Sequence, residues 1–253
     1  MTDGEETAML DRILTTEGAA ELRRFVRDRL DLRGDESVLS IGCGPGYEPA
    51  SLAEAIDEGG RVLGADANPE TLHEARERCG GLPQVSFVGG DATRLPVSDD
   101  RFDVAIAKQV YQFVPDVETA LSELHRVLAP GGRAAVFSRD EGATVLNATD
   151  PELMRRAMAA RVAAMPHPYL DSRLASLLPE AGFTDVRVVP RADVHTEIDA
   201  QVERGIEVHR RTLEEDGSFE SDEIDAWERD LRELDAAGEV LSCGTGFLYL
   251  ARR

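Results

Sequence analysis

Short apolar runs alternate with stretches of helical periodicity along the first 140 residues, and glycine or proline marks nearly every junction. Val38–Ile41, set between Asp35 and a glycine cluster, reads as a strand buried on both faces, since a brief apolar run bounded by turn residues suits a parallel-sheet interior. The pattern recurs in Arg61–Ala65 before Asp66, in Val85–Val88 before Gly89-Gly90-Asp91-Ala92, in Phe102–Ala107 before Lys108, and in Arg133–Ser138. Helical spacing fills the intervals. Glu48–Asp57 carries Leu52, Ala53 and Ile56 and stops at Gly59-Gly60; Asn68-Pro69-Glu70 caps a helix with the stripe Leu72, Ala75 and Cys79. Asp116 opens a third helix bearing Val117, Ala120, Leu121, Leu124 and Leu128, which Pro130-Gly131-Gly132 ends. Such regular strand–helix repetition predicts right-handed crossovers and a doubly wound, mostly parallel α/β sheet.

The flanks are less regular. Residues 5–32 predict one or two helices through Ala8, Leu10, Ile13 and Leu14, then Ala20, Leu22, Phe25, Val26 and Leu30. Helices are expected over Pro151–Ala164 and Leu170–Ala181, with a sixth strand at Val186–Val189. An acidic insert, 193–238, has Ile198, Val202 and Ile206 on one helical face and Ile224, Trp227, Leu231 and Leu234 on another; Val240–Leu250 then alternates as a final strand. The simplest partition is one domain over 1–253, with a helical cap (1–34), a core (35–140) and the insert.

Charge changes the picture most. Against 49 acidic residues stand 28 basic ones, a net −21, and Lys108 is the sole lysine. Acid-rich surfaces with almost no lysine read as adaptation to concentrated salt, where self-repulsion is screened. Basic residues come as pairs such as Arg210-Arg211 and Arg252-Arg253, with no extended basic face for a nucleic-acid partner. No run approaches the roughly 18 apolar residues of a membrane span. The acidic start, Met1 to Glu6, is unlike a secretory signal, and the chain reads as cytoplasmic. Cys43, Cys79 and Cys243 form no Cys-x-x-Cys pair, so neither a disulfide framework nor a metal site is expected. Cys43 has no histidine nearby and reads as small filler.

Candidate chemistry gathers at the first turn. Gly42, Gly44 and Gly46 let a ligand lie against bare backbone. Asp66, at the tip of the second strand, has the spacing at which an acidic residue meets a ribose held over such a turn. Tyr47 stands where a nicotinamide-binding turn would carry its third glycine, which leaves an NAD-dependent reductase as the lesser alternative.

Ile41-Gly42-Cys43-Gly44-Pro45-Gly46, Gly64-Ala65-Asp66, Gly89-Gly90-Asp91-Ala92, Phe102-Asp103-Val104 and the run Leu121 to Gly132 (Leu-Ser-Glu-Leu-His-Arg-Val-Leu-Ala-Pro-Gly-Gly) together resemble the ordered motifs of class I S-adenosylmethionine-dependent methyltransferases. The likeness is to the ubiquinone/menaquinone-biosynthesis-like small-molecule branch and covers about residues 35–140. It implies a seven-stranded sheet whose last strand is antiparallel and inserted beside the sixth. It further implies S-adenosyl-L-methionine as cofactor and direct in-line methyl transfer to a small-molecule acceptor. Gly42, Cys43, Gly44 and Gly46 would lie by the methionine part, with loop amides near its carboxylate. Asp66 would accept both ribose hydroxyls, Ala67 beside it would also bind the cofactor, and Asp91 and Ala92 would meet the adenine. Lys108 would serve through its carbonyl, its side chain being a lid contact or solvated. The plain alternatives are a helix cap for Asp66 and a solvated turn for Asp91. Tyr111, His167 and Tyr169 are candidate bases, none assigned, and His125 reads as a helix-surface residue. Lys108-Gln109-Val110-Tyr111 replaces the Asn/Asp-Pro-Pro-aromatic run usual for nucleic-acid and protein amide methylation. The N-terminal helices and the insert are expected over the open edge or the acceptor pocket, the insert's apolar faces alternatively making a homodimer. A methyltransferase-like domain that binds without turnover is the other reading.

Overall fold

The computed structural model describes residues 11–253, so the helical reading of residues 5–10 lies outside the described part. Two compact units are present: residues through Ser138 with Leu170–Val189 and Phe247–Arg253, and Arg139–Tyr169 with Pro190–Gly246.

The first unit is built on a seven-stranded sheet. In chain order the strands are β1 (Ser37–Ile41), β2 (Arg61–Asp66), β3 (Val85–Gly89), β4 (Phe102–Lys108), β5 (Leu128–Leu146), β6 (Thr184–His195) and β7 (Ser242–Arg252). Across the sheet they run β3-β2-β1-β4-β5-β7-β6, with β7 antiparallel and seated between β5 and β6 as expected. Strands β3, β2, β1, β4 and β5 pair in parallel. The far ends of β5, β6 and β7 fall in the second unit.

Apolar side chains leave the sheet on both faces. Leu39 and Ile41 join Leu121 and Leu124 of α4 (Val117–Val127) and Leu174 and Leu178 of α6 (Leu170–Glu180) in one cluster. Val38 joins the other with Leu22 and Val26 of α1 (Glu17–Arg27) and Leu52 of α2 (Tyr47–Ala53). The alternation read in the last strand works as a period of two should: Tyr249 and Ala251 serve the first cluster, Leu248 the second. Helix α1 therefore covers a sheet face. Nearby, the Arg133 guanidinium grips both Glu36 carboxylate oxygens at 2.9 and 2.7 Å and the Leu30 carbonyl at 3.0 Å, tying β5 to the entry of β1.

Several boundaries shift. Helix α2 stops at Ala53 because the Asp57 amide is drawn to the Gly34 carbonyl at 2.8 Å. Helix α4 ends at Val127, and β5 begins at Leu128, earlier than Arg133. Leu128 pairs with Phe102, and the Gly131 and Arg253 amides donate to Arg253 and Gly132 carbonyls, so the Pro-Gly-Gly segment forms a bulge within a strand. Helix α3 (Pro69–Arg78) begins as expected, Asn68 accepting from the Glu70 amide ahead of Pro69.

The second unit contains α5 (Pro151–Ala163), α7 (Ala200–Asp216) and α8 (Ser221–Ala237). Both apolar stripes of the insert turn inward there: Val202, Ile206, Leu213, Ile224, Trp227 and Leu231 pack with Met154 and Ala157. Those faces are thereby buried within the unit.

Candidate functional site

Where β1 ends, Gly42, Gly44 and Gly46 all adopt positive φ, at 61°, 51° and 89°. Their roles differ. A Cβ on Gly46 would fall 2.9 Å from the Ala75 Cα, so this glycine lets α3 pack against the turn. A Cβ on Gly44 would meet nothing within 4 Å. It would project into open space over bare backbone, beside a cavity of about 680 Å³ along the tips of β1 to β4. Gly42, Cys43, Gly44, Asp66, Ala67, Asp91, Ala92 and Lys108 all line that cavity; Gly46 is not among the lining residues.

The turn is braced from within. The Cys43 amide donates to the Ala65 carbonyl at 3.1 Å, Gly44 to Asp66 Oδ2 at 2.7 Å, and Gly46 to the Cys43 carbonyl at 3.2 Å. Asp66 Oδ1 accepts from the Asn68 amide at 2.9 Å, while Asn68 itself caps α3. Outside the turn, the Arg78 guanidinium lies 3.8 Å from the Tyr47 ring centre and donates to the Pro45 carbonyl at 2.5 Å. The Tyr47 hydroxyl donates to Asp11 at 2.7 Å. Tyr47, where a third glycine was absent, is thus the platform of a clamp on the turn.

Asp91 is exposed at the cavity rim, and the Thr93 amide and hydroxyl both donate to its Oδ1 at 2.7 Å, holding its carboxyl below the usual range. The loop beyond it hangs on α4. Glu123 accepts from the Leu95 amide at 2.8 Å, and Arg126 reaches the Leu95 and Val97 carbonyls and Asp99. These are the charged residues of the Leu121–Gly132 motif.

The Lys108 side chain, read as a lid contact or solvated, is largely buried. Its Nζ lies 3.4 Å from Glu48 Oε2, with side-chain exposures of 11% and 7%. The two attract as charges, yet neither Glu48 oxygen has a hydrogen-bond donor. Next to Lys108, Gln109 holds φ 57°, a left-handed conformation unusual for a residue with a Cβ, and its amide donates to the Phe137 carbonyl at 2.7 Å. Both Glu48 and Gln109 line the cavity.

Burial, with Asp66 adding repulsion, pushes the Cys43 thiol up to about 12, which suits filler and not a nucleophile. Tyr111 is corrected as a candidate base: it is fully buried in the α4 cluster, its hydroxyl pushed up by desolvation, and it does not line the cavity. His167 and Tyr169 belong to the second unit. His125 packs edge-on against Phe183, ring centres 5.1 Å apart. Sequence reading missed Glu48, Gln109 and Arg78. Glu48 carried a faint signal, a charged residue opening the helix that follows the glycine turn; Arg78 carried none.

Residues 39–136 match the model of the methyltransferase domain family. This stretch of the chain belongs to that family. The matched stretch thus holds β1 from Leu39 onward, β2 to β4, and every residue lining the cavity except Leu14. A 37.1 kDa protein in transposon TN4556 of Streptomyces fradiae is 35% identical over 78% of this chain and 57% of its own length. The demethylmenaquinone methyltransferase of Staphylococcus epidermidis is 32% identical over 49% of this chain and 51% of its own. The chain therefore spans about half the length of these curated relatives. Among solved structures, the phosphoethanolamine N-methyltransferase 2 of Haemonchus contortus in complex with S-adenosyl-L-methionine shares the fold, with TM-score 0.58 at 19% identity, covering 92% of this chain and 52% of that one.

Proposed function

We propose that the chain is an S-adenosylmethionine-dependent methyltransferase acting on a small-molecule acceptor. One observation carries the reading: Gly44 presents bare backbone to open space while Asp66, hydrogen-bonded to it, lines the same cavity. An adenosine ligand needs both, a surface without side chains and a carboxylate positioned for vicinal hydroxyls. The family match and the S-adenosyl-L-methionine held by a solved neighbour support the choice of cofactor.

In this reading Asp66 accepts from the ribose hydroxyls. Its oxygens keep acceptor capacity after taking the Gly44 and Asn68 amides, since an ionised carboxylate offers about four lone-pair sites. Asp91, its Oδ1 already fixed by Thr93, presents the other oxygen to the adenine amino group, with Ala92 beside the ring. Three carboxylates against one lysine give the cavity wall a net negative character that favours a cationic ligand over an anionic one such as a pyrophosphate. When bound, the cofactor supplies a methyl group already activated by its sulfonium, so the protein's contribution is chiefly to hold the partners in line and exclude water. Phe113, 57% exposed yet lining the cavity, and Val114 and Pro115 beside it supply an apolar wall for that purpose.

The test combines equilibrium binding with product analysis. The chain is expected to bind S-adenosylmethionine and not NAD, and to release S-adenosylhomocysteine when incubated with labelled cofactor and metabolite pools. Binding of NAD alone would overturn the reading. Cofactor binding without product from any pool would favour a non-catalytic domain.

A further inference from the structure

A carboxylate withdrawn from water is ordinarily satisfied by hydrogen-bond donors, because leaving its oxygens bare is costly. Glu48 departs from this rule. Its side chain is 7% exposed, both oxygens lack a donor, and it lines the cavity with Lys108 Nζ 3.4 Å away. Arg23, also buried on α1, attracts Glu48 as a second cation, yet its Nη1 donates to the Leu14 carbonyl at 2.9 Å and no hydrogen bond from it reaches Glu48. Most donors of the glycine turn, meanwhile, are already engaged. Its Cys43, Gly44 and Gly46 amides donate within the protein, and Pro45 has no N–H. A carboxylate arriving beside the turn finds Lys108 as the charged donor of the cavity wall, and an ammonium finds Glu48.

We propose that Glu48 and Lys108 together form the receptor for a zwitterionic α-amino-acid group, the ligand's ammonium donating to Glu48 and its carboxylate resting on Lys108. The inference deepens the methyltransferase reading and rests on it, because that reading gives the ligand a methionine tail. Strand order supports the placement. Asp66 and Asp91 sit at the tips of β2 and β3 on one side of β1, while Lys108 ends β4 on the other, so the nucleoside carboxylates and the charge pair lie on opposite sides of the glycine turn. The receptor is matched charge for charge. A zwitterion brings donors to the bare oxygens of Glu48 without burying net charge, whereas a tail of single negative sign meets the Glu48 carboxylate and is repelled.

A purely structural ion pair holding α2 to β4 would not care what the ligand's tail is, and this separates the two roles. Calorimetric titrations of the full chain with S-adenosylhomocysteine and with 5′-methylthioadenosine, which lacks the amino-acid end, are compared for the unaltered protein, Glu48→Gln, Lys108→Met and the double variant. Each single variant is expected to lose roughly tenfold to a hundredfold in affinity for S-adenosylhomocysteine and to keep its affinity for methylthioadenosine. In the unaltered chain, the deaminated analogue of S-adenosylhomocysteine is expected to bind about as weakly as methylthioadenosine, a result that needs no variant to fold. Equal losses for both ligands, no loss for either, or an undiminished deaminated analogue would overturn the proposal. Failure of the unaltered chain to bind either adenosine ligand would instead overturn the methyltransferase reading, and the receptor with it.

Discussion

Asp66 Oδ2 accepts the Gly44 amide proton at 2.7 Å, which joins the tip of β2 to the turn after β1. Asp66→Ala is expected to strand the Gly44 and Asn68 amides and cost about 1–3 kcal/mol of folding stability. The same variant is expected to weaken S-adenosylhomocysteine binding at least tenfold in the proposed site. Denaturant titration and calorimetry measure the two effects separately. A variant with weakened folding and unchanged affinity would confine Asp66 to bracing the turn.

Gly44 and Gly46 are expected to fail in different ways. Gly46→Ala meets both a φ of 89° and the Ala75 Cα at 2.9 Å, and should cost about 2–4 kcal/mol of stability. Gly44→Ala faces open space and suffers only its φ of 51°, about 1–2 kcal/mol, while intruding on the cavity. Urea denaturation should therefore rank Gly46→Ala as the less stable, and Gly44→Ala as the variant that loses ligand affinity out of proportion to its stability.

Backbone strain at Gln109 can be tested by its relief. With φ at 57°, Gln109→Gly is expected to change stability by under about 1 kcal/mol in either direction, strain relief offsetting the entropy glycine adds to the unfolded chain. Gln109→Val, β-branched, is expected to lose about 1–2 kcal/mol. Equal stability of the two variants would show that the left-handed conformation is not enforced.

Glu123 sets an acid limit. Hydrogen bonds from Arg126, and then from the Leu95 amide, hold its carboxyl below the ordinary range. A carboxyl lowered in the folded state adds stability that is fully present above its unfolded value, about 4.3, and is lost as pH falls through the folded value. Thermal unfolding midpoints of the native chain should thus decline below about pH 4.3 more steeply than those of Glu123→Gln. Parallel curves would remove Glu123 from the acid response.

The excess of 49 acidic over 28 basic residues implies self-repulsion that salt screens. The unfolding midpoint is expected to rise steadily as potassium chloride increases from dilute to molar concentrations. A flat or falling response would count against adaptation to concentrated salt.

Much of the sheet was legible because its strands are nearly continuous apolar runs closed by glycine or a charged residue. Val38–Ile41, Phe102–Ala107 and the alternating tail leave little choice of face. What escaped depends on partners distant in sequence. Leu128 belongs to a strand, not a helix, because it pairs with Phe102 and its carbonyl accepts from the Arg253 guanidinium, and neither partner is visible from a local window. Helix α2 is short because Gly34 claims the Asp57 amide. At the site, glycine spacing and Asp66 could be read from the chain, since each is needed for what the backbone itself must do. The Lys108 side chain stayed open between lid contact and solvent, because the partner that holds it inside, Glu48, lies sixty residues earlier. Arg78 reaches Pro45 and Tyr47 from the end of α3, a meeting that hydrophobic periodicity does not encode.

Because Lys108 is the chain's lone lysine and sits in the cavity wall beside Glu48, an acylating reagent has a single ε-amine to find. The speed at which that one nitrogen is modified becomes a direct gauge of how often Lys108 parts from Glu48 and meets water, read by mass spectrometry without any engineered label.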